Sequence, residues 1–111
     1  MSTPERRTTP RYRVGPKSFA YYALGCGAIR DIGLEGVFIE DRLSSVSEGT
    51  QIEIELRLGE ESVSLRGVVR RSYPKMGFAV QFLDVPADTK QRLQKYFRTH
   101  FGPPAPADSK P

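Results

Sequence analysis

The residues best suited to chemistry in this sequence are three arginines near the N-terminus. Arg7 and Arg11 stand four positions apart in the run RTTPR, and Arg6 directly precedes the first of them. On an extended chain this spacing covers about 13 Å at most. A guanidinium donates two parallel, charge-assisted hydrogen bonds to a phosphate, pairs with the O6 and N7 edge of guanine, or stacks on a purine ring. The pattern therefore predicts a site for a small, doubly charged nucleotide.

A second group of candidate binding residues is Asp31 with two of the glycines that follow it, in the run DIGLEG. An ionised carboxylate only accepts hydrogen bonds, so Asp31 at a strand end can hold the amino edge of a guanine. Gly33 and Gly36 permit a tight turn and the close approach of a ligand to the backbone. The same residue types are common in structural hairpin turns, so this segment alone leaves a purely structural role open.

Residues that would support catalysis or a metal site are scarce. His100 is the only histidine and lies near the end of an amphipathic segment, where a partly solvated structural role is favoured. Cys26 is the only cysteine, which excludes an intrachain disulfide and a zinc site built from thiols. No phosphate-binding P-loop, His-Glu-x-x-His or dinucleotide-binding glycine motif is present. We therefore predict that the protein is not an enzyme and holds neither metal nor cofactor.

The formal net charge of +4 is confined to the N-terminal segment. Residues 1–17 contain five basic side chains and one acid, whereas the rest of the chain contains 12 of each. The segment lacks the apolar run of a secretory signal, and no stretch approaches the roughly 20 apolar residues that cross a bilayer. With 111 residues the chain has room for one domain. We expect a cytoplasmic protein with no membrane insertion.

The residue pattern divides the chain into three predicted regions. Residues 1–16 contain three prolines and no apolar periodicity, which indicates a flexible basic arm that is neither helix nor strand. Residues 17–101 contain about six short strands, one with a bulge or bend at Gly67, and then an amphipathic helix. This region is expected to form a closed or nearly closed antiparallel barrel with a helical lid. Residues 102–111 are predicted to be a disordered tail.

In their order and separation, the arginine and aspartate motifs resemble those of the PilZ domain family. Arg7 and Arg11 match its Arg-x-x-x-Arg motif, and Asp31 and Gly36 match its Asp/Asn-x-Ser-x-x-Gly motif. The later strands and the terminal helix are also similar, so the resemblance covers about residues 5–100. It implies a mainly β fold, a six-stranded antiparallel PilZ-type β-barrel with an extended N-terminal arm and a C-terminal α-helix.

The same resemblance implies a receptor for the bacterial second messenger cyclic di-GMP. Arg7 and Arg11 would contact phosphates and guanine edges, Asp31 would hold the guanine amino edge, and Gly36 would shape the turn beneath it. An arginine directly before the first motif, here Arg6, is associated in such domains with two intercalated ligand molecules. The implied ligand is thus cyclic di-GMP, and Arg6 mildly favours binding of its intercalated dimer.

Gly33 departs from the family motif, which has serine at this position. The glycine removes a hydroxyl that would donate a hydrogen bond to the ligand. Such a bond to a charged group is worth roughly 1.5–3 kcal/mol, so the expected loss of affinity is about one to two orders of magnitude. Both arginines and the aspartate are present, and binding is expected to be weakened without being abolished.

Three functions follow as hypotheses. The first is a cyclic di-GMP effector that signals, in motility or biofilm formation, by ligand-dependent contact with an unidentified protein partner. The second is a degenerate PilZ adaptor of motility or pilus systems that binds no nucleotide and docks a protein through the barrel or the helix around residues 93–101. The third, nucleic-acid binding by the basic arm, is disfavoured because residues 1–17 contain only five basic residues and the body is neutral.

Overall fold

The computed structural model describes residues 11–14, 17–23, 25–43 and 46–101, which form seven β-strands and one α-helix. The strands are β1 (Arg11–Arg13), β2 (Ser18–Tyr22), β3 (Gly25–Gly33), β4 (Gly36–Glu40), β5 (Gln51–Leu58), β6 (Glu61–Tyr73) and β7 (Gly77–Leu83), and the helix is α1 (Ala87–Phe101). This order confirms the prediction of a mainly β chain followed by a helix. In the described part of the chain, no helix has the length and apolar composition needed to cross a bilayer.

Six of these strands close into an antiparallel barrel. Neighbouring strands pair in the order β3, β2, β5, β6, β7 and β4, and β4 pairs back to β3. Closure pairs both edges of each strand with a neighbour, which removes the open sheet edge on which unwanted strand pairing occurs. The predicted six-stranded barrel is therefore confirmed.

Strand β1 lies outside the six-strand barrel and pairs with the far end of β3. Arg11 is opposite Gly33, and Arg13 is opposite Asp31. β2 pairs with the first four residues of β3, and β1 pairs with the last three. Because unpaired backbone N–H and C=O groups gain hydrogen bonds at an open edge, β1 extends the sheet where β2 no longer covers β3.

The predicted N-terminal arm differs from the structure in the part that the structure describes. The expectation that residues 1–16 are neither helix nor strand is wrong for β1. The sequence gives no local sign of this strand, because its three residues pair with a segment about 20 residues later in the chain. Residues 1–10 and 15–16 of the arm, and the tail predicted over residues 102–111, lie outside the described residues.

The barrel interior is filled by apolar side chains from all six barrel strands and from the helix. In β5, strict alternation places Ile54, Leu56 and Leu58 inside, while Glu53 and Arg57 face solvent. Burying one such aliphatic side chain contributes about 1.5–3 kcal/mol to stability. The buried cluster consists of Ala20, Ile29, Ile32, Val37, Ile39, Val46, Ile54, Leu56, Leu58, Val63, Leu65, Val69, Phe78, Val80, Phe82, Leu93 and Phe97.

Two β-bulges interrupt the regular alternation of the barrel wall. The extra residue is Arg30 in β3 and Arg70 in β6. A bulge inserts a residue without a direct partner and lets two consecutive side chains lie on the same side of the sheet. Each bulge therefore leaves an arginine beside a second charged residue, Asp31 or Arg71, outside the barrel core.

Of the bulge or bend predicted at Gly67, the bulge is wrong. Gly67 stays in register, with Ile52 and Phe82 as its partners on the two neighbouring strands. A Cβ atom at this position would meet the side chain of Val80 and lie 2.8 Å from the backbone oxygen of Gln81. The glycine therefore permits close packing of backbone and side chains, the other common reason for a glycine within a strand.

Helix α1 covers the barrel and also contacts β1. Leu93 and Phe97 are buried in the barrel cluster. Tyr12, the central residue of β1, stacks on Phe101 with ring centroids 4.6 Å apart and lies 5.0 Å from the ring of Phe97. Aromatic pairs of this kind contribute about 0.5–1.5 kcal/mol beyond the area that they bury. The rings thus join the strand that contains Arg11 and Arg13 to the last turns of the helix.

Candidate ligand-binding site

A single row of cross-strand neighbours runs over the outer surface of the barrel. Its members, from β1 through β3, β4 and β7 to β6, are Arg13, Asp31, Phe38, Ala79 and Arg71. Directly paired residues on neighbouring strands have side chains on the same face of a sheet. The row therefore places an arginine at each end, an aspartate beside one of them, and two apolar residues between.

Asp31 is the centre of an ion-pair cluster at the β1 end of this row. Arg11 donates from Nη2 to Asp31 Oδ1, and Arg30 donates from Nε to Asp31 Oδ2 at 3.1 Å. The side chain of Asp31 is 16% exposed and that of Arg11 23% exposed. Both carboxylate oxygens are thus engaged by arginines at a partly solvated position. The Nε of Arg11 is buried and has no hydrogen-bond partner among the described residues.

Arg30 also covers an aromatic ring. Its guanidinium carbon lies 3.9 Å from the centroid of the Phe38 ring, a cation–π contact. Phe38 is 5% exposed, yet it is not part of the buried cluster inside the barrel, and its ring lies 5.9 Å from that of Tyr73. A flat apolar surface therefore lies beside Asp31, with the planar guanidinium of Arg30 over it.

These side chains surround an open cavity of about 810 Å³. Its charged residues are four arginines and one aspartate, so its formal charge is +3. Phe38, Ala79, Tyr73 and Met76 supply its apolar surface. We call the charged set the cationic face; it consists of Arg11, Arg13, Arg30, Asp31 and Arg71. A cavity with excess arginines and exposed aromatic surface is chemically suited to an anion that has planar rings.

Five of the six residues predicted to bind a ligand fall into three groups. Arg11 and Asp31, about 20 residues apart in sequence, are brought into direct contact. Gly33 lies in β3 opposite Arg11 and does not have a positive φ. Arg6 and Arg7 lie outside the described residues.

Gly36 lies in a barrel strand, where its role is structural. It is the first residue of β4 and pairs with Gln81 on β7. A Cβ atom on Gly36 would lie 2.5 Å from the backbone oxygen of Val80, which no real Cβ contact allows. Gly36 does not line the cavity of the cationic face. The close approach that its glycine permits is therefore between two strands of the barrel.

Seven of the nine residues that line the cavity escaped the sequence analysis as site candidates: Arg13, Arg30, Phe38, Arg71, Tyr73, Met76 and Ala79. Arg13 and Arg30 had a usable signal, since each is within two residues of a predicted site residue. Phe38 and Arg71 had none, because their places depend on the register of β4 and on the bulge in β6. Only the paired strands show that they share a surface with Asp31.

The residues considered for catalysis or metal binding lie away from this cavity. Cys26 is an exposed free thiol at the start of β3. The ring of His100 lies 4.1 Å from that of Tyr96 near the end of α1. Within the described ranges, no group of three or more histidine, cysteine, aspartate or glutamate side chains is placed to hold a metal ion.

A second open cavity, of about 610 Å³, has the opposite charge. Its charged lining residues are three acids and one arginine, so its formal charge is −2. Burial raises the pKa of the neighbouring Tyr22, and the hydrogen bond that this phenol donates to Asp41 raises it further. We call this surface the acidic face; it consists of Tyr21, Glu53, Glu55, Arg66 and Asp84.

Solved structures with the same fold include two complexes with c-di-GMP. YcgR from Escherichia coli, in complex with c-di-GMP, superposes with a TM-score of 0.73 at 19% identity, covering 85% of this chain and 45% of YcgR. The MrkH–c-di-GMP complex from K. pneumoniae gives a TM-score of 0.71 at 20% identity, covering 83% of this chain and 51% of MrkH. This chain thus spans about half the length of either protein.

A third similar structure is the Legionella protein Lpg0364. It superposes with a TM-score of 0.61 at 13% identity, and the match covers 80% of this chain and 90% of Lpg0364. At such identities all three likenesses show the fold. No curated protein sequence matches this one.

The family assignment comes from the sequence profile of the domain. The family model described as the PilZ domain matches residues 5–99, which is most of the chain. The match includes both predicted motifs, all seven strands and nearly the whole of α1. It confirms the resemblance found from the arginine and aspartate motifs, and the chain belongs to the PilZ domain family.

Proposed function

We propose that this protein is a non-enzymatic receptor for cyclic di-GMP and that the ligand binds on the cationic face. The observation that supports this most strongly is the contact between Arg11 and Asp31, which joins the two family motifs at one cavity. The c-di-GMP complexes of the similarly folded YcgR and MrkH support the choice of ligand.

The side chains of the cavity suit the parts of this ligand. Phosphate oxygens accept paired hydrogen bonds from guanidinium groups, and Arg11 and Arg13 lie on the same strand beside the cavity. The N1–H and amino group of guanine donate hydrogen bonds, which an ionised Asp31 accepts. Tyr73, which is 41% exposed, and the planar guanidinium of Arg30 over Phe38 offer flat surfaces for a stacked purine.

Ligand binding must rearrange the ion pairs of Asp31. Both of its oxygens accept hydrogen bonds from arginines. A guanine edge competes with Arg30 for one oxygen, while a phosphate offers Arg11 a new partner. The buried and unpaired Nε of Arg11 is one donor that such a rearrangement would satisfy. Arg6 and Arg7 are proposed to add contacts from the arm, with Arg6 favouring an intercalated ligand dimer.

The proposed signal is a change in protein contacts. β1 has Arg11 at the cavity and Tyr12 against the rings of α1, so a change in its position reaches both surfaces. A barrel domain of this kind would act on a partner in the bacterial cytoplasm through such contacts, as in the control of motility or biofilm formation.

Calorimetry with the purified protein tests the proposal. Cyclic di-GMP is expected to bind. Cyclic di-AMP is expected to bind at least tenfold more weakly, because adenine lacks the N1–H and the amino group beside it whose hydrogen bonds Asp31 accepts. Asp31→Asn is expected to reduce this difference in affinity between the two dinucleotides. No heat at about 100 μM cyclic di-GMP, a limit near −5.5 kcal/mol of binding free energy, would overturn the proposal. Equal affinities for the two dinucleotides would show that Asp31 does not select guanine.

One residue supports a second candidate function, a PilZ adaptor that does not bind nucleotide. Gly33, opposite Arg11 in the sheet, lacks the hydroxyl that the family motif provides. If the protein is such an adaptor, the partners that it captures are unchanged by Arg11→Ala and by removal of nucleotide. Loss of a partner on either change favours the receptor.

A further inference from the structure

We infer that Arg71, on the wall of the cavity opposite Asp31, contacts the phosphate of the bound nucleotide that lies farther from Arg11. This inference rests on the proposed function, and it adds a binding residue from β6 that lies in neither sequence motif. The first observation is positional, since Arg71 and Asp31 belong to the same cross-strand row and line the same cavity.

The separation of the two walls suits a single ligand. Between Asp31 and Arg71 lie two strands, so three strand spacings of about 4.8 Å put their Cα atoms roughly 14 Å apart along the wall. Both side chains extend from the wall towards the cavity that they line, which shortens the gap. Ala79 between them is small, and together with the Arg30 guanidinium that covers Phe38 it forms a floor for the purine rings.

The second observation is that the charge of Arg71 is not used within the protein. Within the part of the chain that the structure describes, Arg71 forms no ion pair or hydrogen bond through its guanidinium, and the residue is exposed. An exposed arginine at a cavity with excess positive charge offers its five donors to an incoming anion. A cyclic dinucleotide has two negatively charged phosphates. Arginines of β1 on one side of the cavity and of β6 on the other match these two charges.

The bulge in β6 explains why this arginine reaches the cavity and supplies a control. Arg70 and Arg71 are adjacent, exposed and equally charged. Arg70 donates from Nε to Oε1 of Gln81 at 2.5 Å and does not line the cavity. Because the bulge shifts the register at this point, Arg71 instead of Arg70 is paired with Ala79. The two positions therefore differ in contact with the cavity, while their long-range charge effects are nearly equal.

The test compares Arg71→Gln with Arg70→Gln in calorimetric titrations with cyclic di-GMP. Arg71→Gln is expected to weaken binding by about tenfold to a hundredfold, and Arg70→Gln by less than about threefold. Arg71→Lys, which keeps the charge but loses the two-pronged donor, should fall between wild type and Arg71→Gln. Circular dichroism and thermal melts check that each variant is folded.

The outcomes separate the inference from the proposed function. Binding by the wild type with no loss in Arg71→Gln overturns the inference and leaves the proposed function standing. Equal losses in Arg70→Gln and Arg71→Gln also overturn it, since they show a general charge effect instead of a contact. If the wild type does not bind cyclic di-GMP, the proposed function fails, and the inference fails with it.

Discussion

The barrel presents two outer surfaces that are built from the same kind of strand but have opposite charge. The cationic face surrounds its cavity with four arginines and one aspartate, whereas the acidic face surrounds its cavity with three acids and one arginine. Both cavities are open and of comparable size, about 810 Å³ and 610 Å³. Size and openness therefore do not distinguish the two cavities, but charge does, because an anion is attracted to the cationic face and repelled by the acidic face.

The difference between the faces comes from strand register. β5 and β6, which line the cavity of the acidic face, pair through eight consecutive residues without a shift. Ser62 and then Arg57 donate hydrogen bonds to Glu55 and lower the pKa of its carboxyl. On the cationic face the ladder instead shifts by one residue at Arg30 in β3 and at Arg70 in β6. These two shifts place Asp31 and Arg71 in the cross-strand row that lines the cavity.

The largest expected effect compares two arginines that are each paired with a carboxylate. Arg11→Ala should weaken cyclic di-GMP binding by about a hundredfold or more, because a forked hydrogen bond to a phosphate and the partner of Asp31 are lost together. Arg57→Ala, the matched change beside the acidic face, should leave affinity within about twofold. Calorimetry measures both. Similar losses in the two variants would show that the faces do not differ in ligand binding.

Gly33→Ser should strengthen binding by about tenfold to a hundredfold, since it restores a hydroxyl that donates to the ligand. Gly33 is in a regular strand without a positive φ, so the backbone accepts serine. Gly33→Ala is the control, because it adds the Cβ atom without the hydroxyl. If alanine and serine change the affinity equally, the hydroxyl has no part in binding.

Gly36→Ala separates structure from ligand contact within one motif. The added methyl group would lie 2.5 Å from the backbone oxygen of Val80, so the two strands must move apart. We expect a loss of about 1–3 kcal/mol in the free energy of unfolding, measured by urea denaturation. Affinity per folded molecule should stay within about twofold. A large loss of affinity at unchanged stability would make Gly36 a ligand-contacting residue after all.

The smallest expected effect concerns two tyrosines, one associated with each face. Tyr12→Ala removes the contacts of the Tyr12 ring with the rings of Phe97 and Phe101 in α1. It should therefore lower the free energy of unfolding by about 0.5–1.5 kcal/mol more than Tyr21→Ala does. Tyr21 is 41% exposed, with the Arg57 guanidinium 5.3 Å from its ring. Hydrogen exchange should show faster opening of the last turn of α1 in Tyr12→Ala alone. Unchanged exchange there would mean that β1 does not hold the helix end.

The sequence predicted those parts of the molecule that depend on local pattern. Alternation in β5 gave a strand with one buried face, and the apolar spacing after Asp88 gave the helix that packs on the barrel through Leu93 and Phe97. Both signals are periodic and lie within one element. The six-stranded closure came from the family resemblance and the number of strands together.

The parts that the sequence did not predict depend on contacts between distant segments. The two bulges are at Arg30 and Arg70, and arginine is not a residue type that marks a bulge. Glycine is such a type, yet Gly67 is in register. β1 forms because β3 extends beyond β2. The cavity between Asp31 and Arg71 requires four strands to be aligned at once, which no single stretch of sequence specifies.

The most direct test of this account is a map of amide chemical shifts by NMR as cyclic di-GMP is added. If the cationic face binds the ligand, the largest changes occur in β1, in β3 around Asp31 and in β6 around Arg71. Amides of β5 and of β6 near Ser64, on the acidic face, should change little. Largest changes on the acidic face, or no changes at saturating ligand, would contradict the account.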